Sequence, residues 1–145
     1  MRSLYILLAA FCMVVFSTPR PGEASDDSWI SSDSNWTFTY LKAMEGNREP
    51  VRQFVEKNWF VMDKVAVERG LFKSYHLIEN ITESGSRGDS DWDFIVAVEY
   101  FEDQSYADIQ QEFEDIRSEH QTVLIDGKTL GDLGTIVRSE RVLIH

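Results

Sequence analysis

Two side chains in this sequence stand where acid–base or ligand chemistry would want them. His76 is the histidine that falls within an expected strand, and an imidazole there suits a general base or a metal or haem ligand. Glu99 interrupts the otherwise apolar run from Phe94 to Phe101. Facing a closed interior, its carboxyl would keep its proton to higher pH and serve as an acid or base. Paired across strands with Arg138 or Arg141, it would be a structural ion pair, and the nearby opposite charge makes this the stronger expectation. His76 likewise reads more simply as a surface or hydrogen-bonded residue of a half-apolar strand. Tyr40, Trp59 and Tyr100 are the candidate ligand-binding residues, with Tyr75 as a further aromatic neighbour. His120 extends a helical face near its C-terminus, where an imidazolium interacts well with the dipole, and His145 is terminal. No three-histidine metal site follows, and neither a metal nor a cofactor is expected.

Other short patterns weaken on inspection. Asp89-Ser90-Asp91-Trp92-Asp93 begins like an EF-hand loop, but Phe94 replaces the required glycine and Tyr100 stands where the bidentate glutamate belongs. A solvated turn is the better reading. Arg87-Gly88-Asp89 matches an adhesion tripeptide inside a turn-rich loop, and three residues match easily by chance. Asn35-Trp36-Thr37 and Asn80-Ile81-Thr82 are glycosylation sequons, which matter only in a eukaryotic secretory route. No nucleophile elbow, phosphate loop, metalloprotease helix or dinucleotide fingerprint occurs.

The chain has 145 residues, a formal net charge of −11 and a single cysteine, Cys12. Met1-Arg2, the apolar run Leu4 to Phe16 and the small-residue exit at Ala24 have the layout of a secretory signal peptide. The run is shorter than the roughly 18 residues that span a bilayer. Phe11 precedes Cys12, so a lipoprotein signal is not expected. Cleavage would remove Arg2, Arg20, Glu23 and the thiol, leaving a domain one unit more acidic and free of disulfide or thiol chemistry. Such an acidic chain repels phosphate backbones and anionic lipid, so no nucleic acid and, after cleavage, no membrane is expected as partner. Stability then falls to core packing or self-association. Residues 1–24 are read as signal peptide, 25–35 as a flexible lead-in and 36–145 as one domain, periplasmic or secreted.

The elements that would hold these side chains follow from periodicity. Trp36 to Leu41 alternates as a strand. Between Pro50 and Gly70, Val51, Phe54, Val55, Met62, Val65 and Ala66 fall on one helical stripe. Phe60 and Val67 lie roughly opposite, among Glu56, Lys57, Asp63 and Lys64, which suggests a second contact surface for self-association or for the C-terminal segment. Asn58 sits within the stripe, where an amide needs partners, and ties a backbone group more readily than a substrate. Phe72 to Ile81 reads as a strand, Glu83 to Asp91 as a loop, and Phe94 to Phe101 as a strand apolar on both faces except at Glu99. Ser105 with Asp108 resembles a capping box opening a helix with Tyr106, Ile109, Phe113 and Ile116 inward. Asp126-Gly127 turns a short apolar segment, Leu130 to Gly134 makes at most one helical turn, and Ile136 to Ile144 is a last strand.

The order β-α-β-β-α-β resembles the ferredoxin-like split βαβ unit, an α+β fold with two helices on one face of a four-stranded antiparallel sheet. Two-sided burial of Phe94 to Phe101 calls for a cover on the open face, and a second copy is the simplest one. In this the chain is similar to the dimeric α/β-barrel superfamily, over about Trp36 to His145, on element order and burial and not on a signature motif. The resemblance implies a homodimer whose sheets enclose a barrel; members include cofactor-free monooxygenases, isomerases, haem-dependent enzymes and domains without known activity. The leading expectation is an exported, self-associating domain that binds a small apolar or aromatic ligand between its sheets, lined by Trp36, Phe38, Tyr40, Phe94 and Tyr100 if they face inward. The alternatives are a cofactor-free enzyme using His76 or Glu99 as base, and a structural subunit of an envelope assembly.

Overall fold

The computed structural model describes residues 34–81 and 90–144. The leader, most of the lead-in, Thr82, the Arg87-Gly88-Asp89 tripeptide and His145 lie outside the described residues. Alternation in Trp36-Thr37-Phe38-Thr39-Tyr40-Leu41 produces β1, Ser34–Ala43, which opens two residues ahead of the expected domain start. Gly46, at φ 78°, turns the chain into a helical segment.

That segment has an irregularity that periodicity did not foresee. It runs as α1, Arg48–Phe54, then a π-helical turn at Val55–Trp59, then α2, Phe60–Glu68, with helical backbone angles through both junctions. The Phe60 N–H donates to the Val55 carbonyl, five residues back. One extra residue in a turn rotates everything downstream by about 100° relative to a straight helix. The two apolar stripes therefore merge. Phe60 and Val67, expected on the far side, pack partly buried against the core, and Asp63 swings from the polar face to the inside. Gly70, at φ 73°, ends the helix as expected: its N–H reaches Val67 O at 3.0 Å and the Leu71 N–H reaches Ala66 O at 2.8 Å, a Schellman motif.

β2, Ser74–Glu79, and β3, Phe94–Tyr100, follow. α3, Tyr106–Glu119, buries Ile109, Phe113 and Ile116. Ser105 caps it by position only. Ser105 and Asp108 stay exposed and the Ser105 hydroxyl makes no cap bond, so the expected capping box does not form there. It forms at Thr129, whose N–H donates to Asp132 Oδ2 at 2.9 Å at the start of the short α4, Leu130–Leu133. Asp126 (φ 51°) and Gly127 (φ 75°) make the turn that pairs Ile125 with Lys128. β4, Gly134–Ile144, closes the fold, and its first residue must be small: a Cβ on Gly134 would lie 2.5 Å from Lys42 O.

The four strands make one sheet in the order β2-β3-β1-β4, each antiparallel to its neighbours. β1 and β2 are thus parallel to each other, with β3 between them. Leu41, Phe94, Val96, Val98 and Tyr100 join Val51, Phe54, Val55, Ala66, Ile109, Phe113 and Ile116 in one core, so the long helical segment and α3 pack on the same sheet face. The opposite face carries Trp36, Phe38 and Tyr40 of β1, Ser74, His76 and Ile78 of β2, and Ile95, Ala97 and Glu99 of β3, as the cross-strand pairing requires. β3 is buried on this side too, with Ile95 9% and Ala97 1% exposed between the flanking aromatic strand and β2.

The start of β3 is pinned to the end of β1 by a charge. Asp93 is fully buried; its Oδ2 accepts from the Ala43 N–H at 2.9 Å, and Lys42 Nζ lies 3.7 Å from Oδ1. Asp91 points elsewhere, to Arg138 at 2.9 Å. These two carboxylates of the EF-hand-like stretch serve separate structural partners.

Candidate functional site

A cavity of about 400 Å³ lies between the helices and the β1–β4 side of the sheet, within the size range of small-molecule sites. Its floor comes from alternate residues of β1 and β3: Thr37, Thr39, Val96, Val98 and Tyr100. Trp59, Met62 and Asp63 of the long helical segment form one wall, and Tyr106, Gln110, Phe113 and Arg117 of α3 form the other. Ile136 and Ser139 of β4 complete the β4 side.

Aromatic packing sets the shape. Phe72 meets Tyr100 edge-on at 5.3 Å and tilts against Phe113 at 4.9 Å; Tyr100 in turn meets Tyr106 edge-on at 5.6 Å. Arg141 stacks 4.5 Å above the Tyr106 ring, and Arg117 sits 5.5 Å from the Phe113 centroid while pairing with Glu114 at 2.7 Å. Both guanidiniums thereby lie against rings of α3.

Asp63 is the chemically distinctive group. It is 4% exposed, lines the cavity, and its Oδ2 has no hydrogen-bond partner among the described residues. Burial pushes its carboxyl from the ordinary 3.8 up to about 7. Burial also pushes the Tyr100 phenol up to about 12. The nearby Thr37 hydroxyl works against that rise without forming a bond of normal geometry, so Thr37 Oγ1 is a second buried polar atom without a partner among the described residues. A carboxyl that switches charge near neutrality, a phenol and a threonine hydroxyl thus share an aromatic-walled space. The arrangement can accept a hydrogen bond or a positive charge, or exchange a proton with a bound molecule.

The residues singled out from sequence divide between the two faces of the sheet. Trp59 and Tyr100 come together in the cavity. Tyr40, His76 and Glu99 lie on the opposite face with Trp36 and Phe38, whereas Phe94 faces the helices with Tyr100; the five aromatics expected to share a lining are split. Tyr40 lies beneath the Arg138 guanidinium at 3.7 Å and meets Trp92 edge-on at 6.1 Å. His76 is exposed beside the Trp36 ring at 6.0 Å. Glu99 forms an ion pair, but with Lys73 at 2.8 Å and a hydrogen bond from Ser74 at 2.8 Å, not with Arg138 or Arg141. The reason is strand order: β1 stands between β3 and β4, so the arginines of β4 are not cross-strand neighbours of Glu99. Phe60 packs on Tyr75 of its own chain at 4.8 Å.

Asn58 is 2% exposed and ties backbone, as expected. Its amide donates to Phe54 O at 3.0 Å and Val123 O at 2.9 Å, while Oδ1 accepts from the Val123 N–H at 2.7 Å and faces His120 Nε2 at 3.0 Å. This clamp anchors the π-turn to the loop after α3, and so fixes Trp59 and Asp63 against the cavity. Among protein-family models, curated proteins and solved structures, nothing matches this chain.

Proposed function

We propose that this chain is an exported, self-associating α+β domain of ferredoxin-like architecture that binds a small molecule with an apolar or aromatic body. The observation that carries the binding reading is the cavity of about 400 Å³ with an unpartnered, buried Asp63 carboxyl on its wall. Burying such a group costs stability unless something repays it, and a bound ligand is the simplest reason to keep it. The ferredoxin-like reading draws on the strand order, which from the β4 edge runs 4-1-3-2 with β1 and β2 split by β3. Export rests on the signal-like leader, and among the described residues no helix is long and apolar enough to cross a membrane.

Self-association draws on the sheet face away from the helices. Trp36, Phe38 and Tyr40 form an aromatic stripe there, half-buried and bordered by Ile78 and Ile144, which are more than 40% exposed. A second copy laid on this face is the dimeric barrel, and light scattering on the purified protein tests it; a monomer at tens of micromolar overturns that part alone. His76 and Glu99 lie on this same face, across the sheet from Asp63, so the enzyme reading built on either as base gains nothing from the cavity.

Indole and amide NMR signals separate the two faces for the ligand. Titration with small aromatic fragments should shift Trp59 and Tyr100 and leave Trp36 and Trp92 in place. Shifts confined to Trp36 and Trp92, or none at millimolar fragment, contradict the cavity reading.

A further inference from the structure

We infer that the ligand class of this cavity is a small organic cation, an amine on a ring-bearing body, with its ammonium on Asp63 and its apolar part against Trp59, Tyr100 and Tyr106. The inference rests on the cavity being a binding site, and names what that site takes.

Three features select a cation. An ionised carboxylate only accepts hydrogen bonds, and Asp63 Oδ2 receives none among the described residues. Burial is what raises its affinity for the proton, and among the described residues no basic group pairs with it. An ammonium supplies both the donors and the charge. The walls then suit the rest of the molecule, because the rings of Trp59 and Tyr100 line the cavity and aromatic rings attract cations as well as apolar surface. Finally, the field of a chain with net charge −11 draws cations toward its clefts and repels anions. The basic groups near the rim are already committed, Arg117 to Glu114 and Phe113, Arg141 to the Tyr106 ring.

A neutral alcohol would satisfy one lone pair and leave the charge unpaired. A carboxylate ligand would set two acids together in low dielectric, where like charges repel strongly. The amine also leaves a signature in pH. Without a cation beside it, burial holds the Asp63 proton up to about 7, and an ammonium must displace that proton. The other ionisable side chains lining the cavity are Tyr100 on β3 and Tyr106 and Arg117 on α3, with Arg141 of β4 on the Tyr106 ring. Amine affinity should therefore fall about tenfold from pH 8 to pH 6, with close to one proton released per ligand bound at pH 6.

Calorimetry with three probes of one shape decides the matter: 2-phenylethylamine, 2-phenylethanol and phenylacetate, at pH 6 and pH 8. The expected result is amine binding at pH 8 that weakens about tenfold at pH 6 and weakens at least as much in Asp63→Asn, while the alcohol is indifferent to both changes. The pH series on the unaltered protein stands without the variant, should Asp63→Asn fold poorly. Alcohol or phenylacetate binding as tightly as the amine overturns the cation and leaves the cavity as a site. Failure of all three at millimolar concentration overturns the site itself.

Discussion

Asp63→Asn should make the protein more stable at neutral pH, by an amount that depends on pH in a calculable way. In the unfolded chain the carboxyl titrates near its ordinary 3.8, and in the folded protein burial raises it to about 7. The folded state thus holds the proton more tightly. Below pH 3.8 the group contributes no penalty; between 3.8 and 7 stability falls as pH rises, and above 7 the loss levels off. At about 1.36 kcal/mol per unit, the full penalty is about 4 kcal/mol, of which roughly 2–3 kcal/mol develops between pH 5 and pH 8. Asn keeps the shape and has no such titration. Urea unfolding of both proteins at pH 5, 6, 7 and 8 gives the difference directly, because the other titrating groups cancel. The variant's advantage should grow by roughly 2–3 kcal/mol across that range, on the order of 10 °C in melting temperature. A difference that stays constant from pH 5 to pH 8 refutes a buried, unpartnered Asp63.

Two further expectations concern the frame around the site. Asp93→Ala removes the buried acceptor of the Ala43 N–H and leaves Lys42 with the Ser90 carbonyl alone, and should cost about 2–3 kcal/mol in denaturant unfolding; a loss under about 0.5 kcal/mol would show that the β1–β3 pin is idle. Asn58→Leu cuts the clamp between the π-turn and Val123, and should lower stability by about 2–3 kcal/mol while speeding amide hydrogen exchange at Val123; unchanged exchange there contradicts the clamp.

The frame of the fold was legible because local signals and burial agreed. Alternation in β1, the helix between Pro50 and Gly70 with its glycine stop, the two-sided burial of β3 and the Ile109-Phe113-Ile116 spacing all carry into the structure. The site was half legible. Trp59 and Tyr100 were named on residue type, but nothing local told which sheet face Tyr40, His76 and Glu99 would take, since a one-residue slip in register exchanges the faces. The partner of Glu99 was misplaced as well, because β1 separates β3 from the arginines of β4. Asp63 was hidden by the assumption of a straight helix. Its signal was present all the same: two apolar stripes out of phase, Val51-Phe54-Val55 before and Phe60-Val67 after, are what one inserted residue leaves behind. Asn58 and Trp59, at the point where the phase slips, mark the insertion.

The carboxyl carbon of Asp63, followed by NMR from pH 3 to pH 9 with and without 2-phenylethylamine, tests the central claim most directly. The account predicts a midpoint near 7 for the protein alone, moving well down in saturating amine as the ammonium takes the proton's place. A midpoint in the ordinary aspartate range near 3.9, unmoved by the amine, would contradict it.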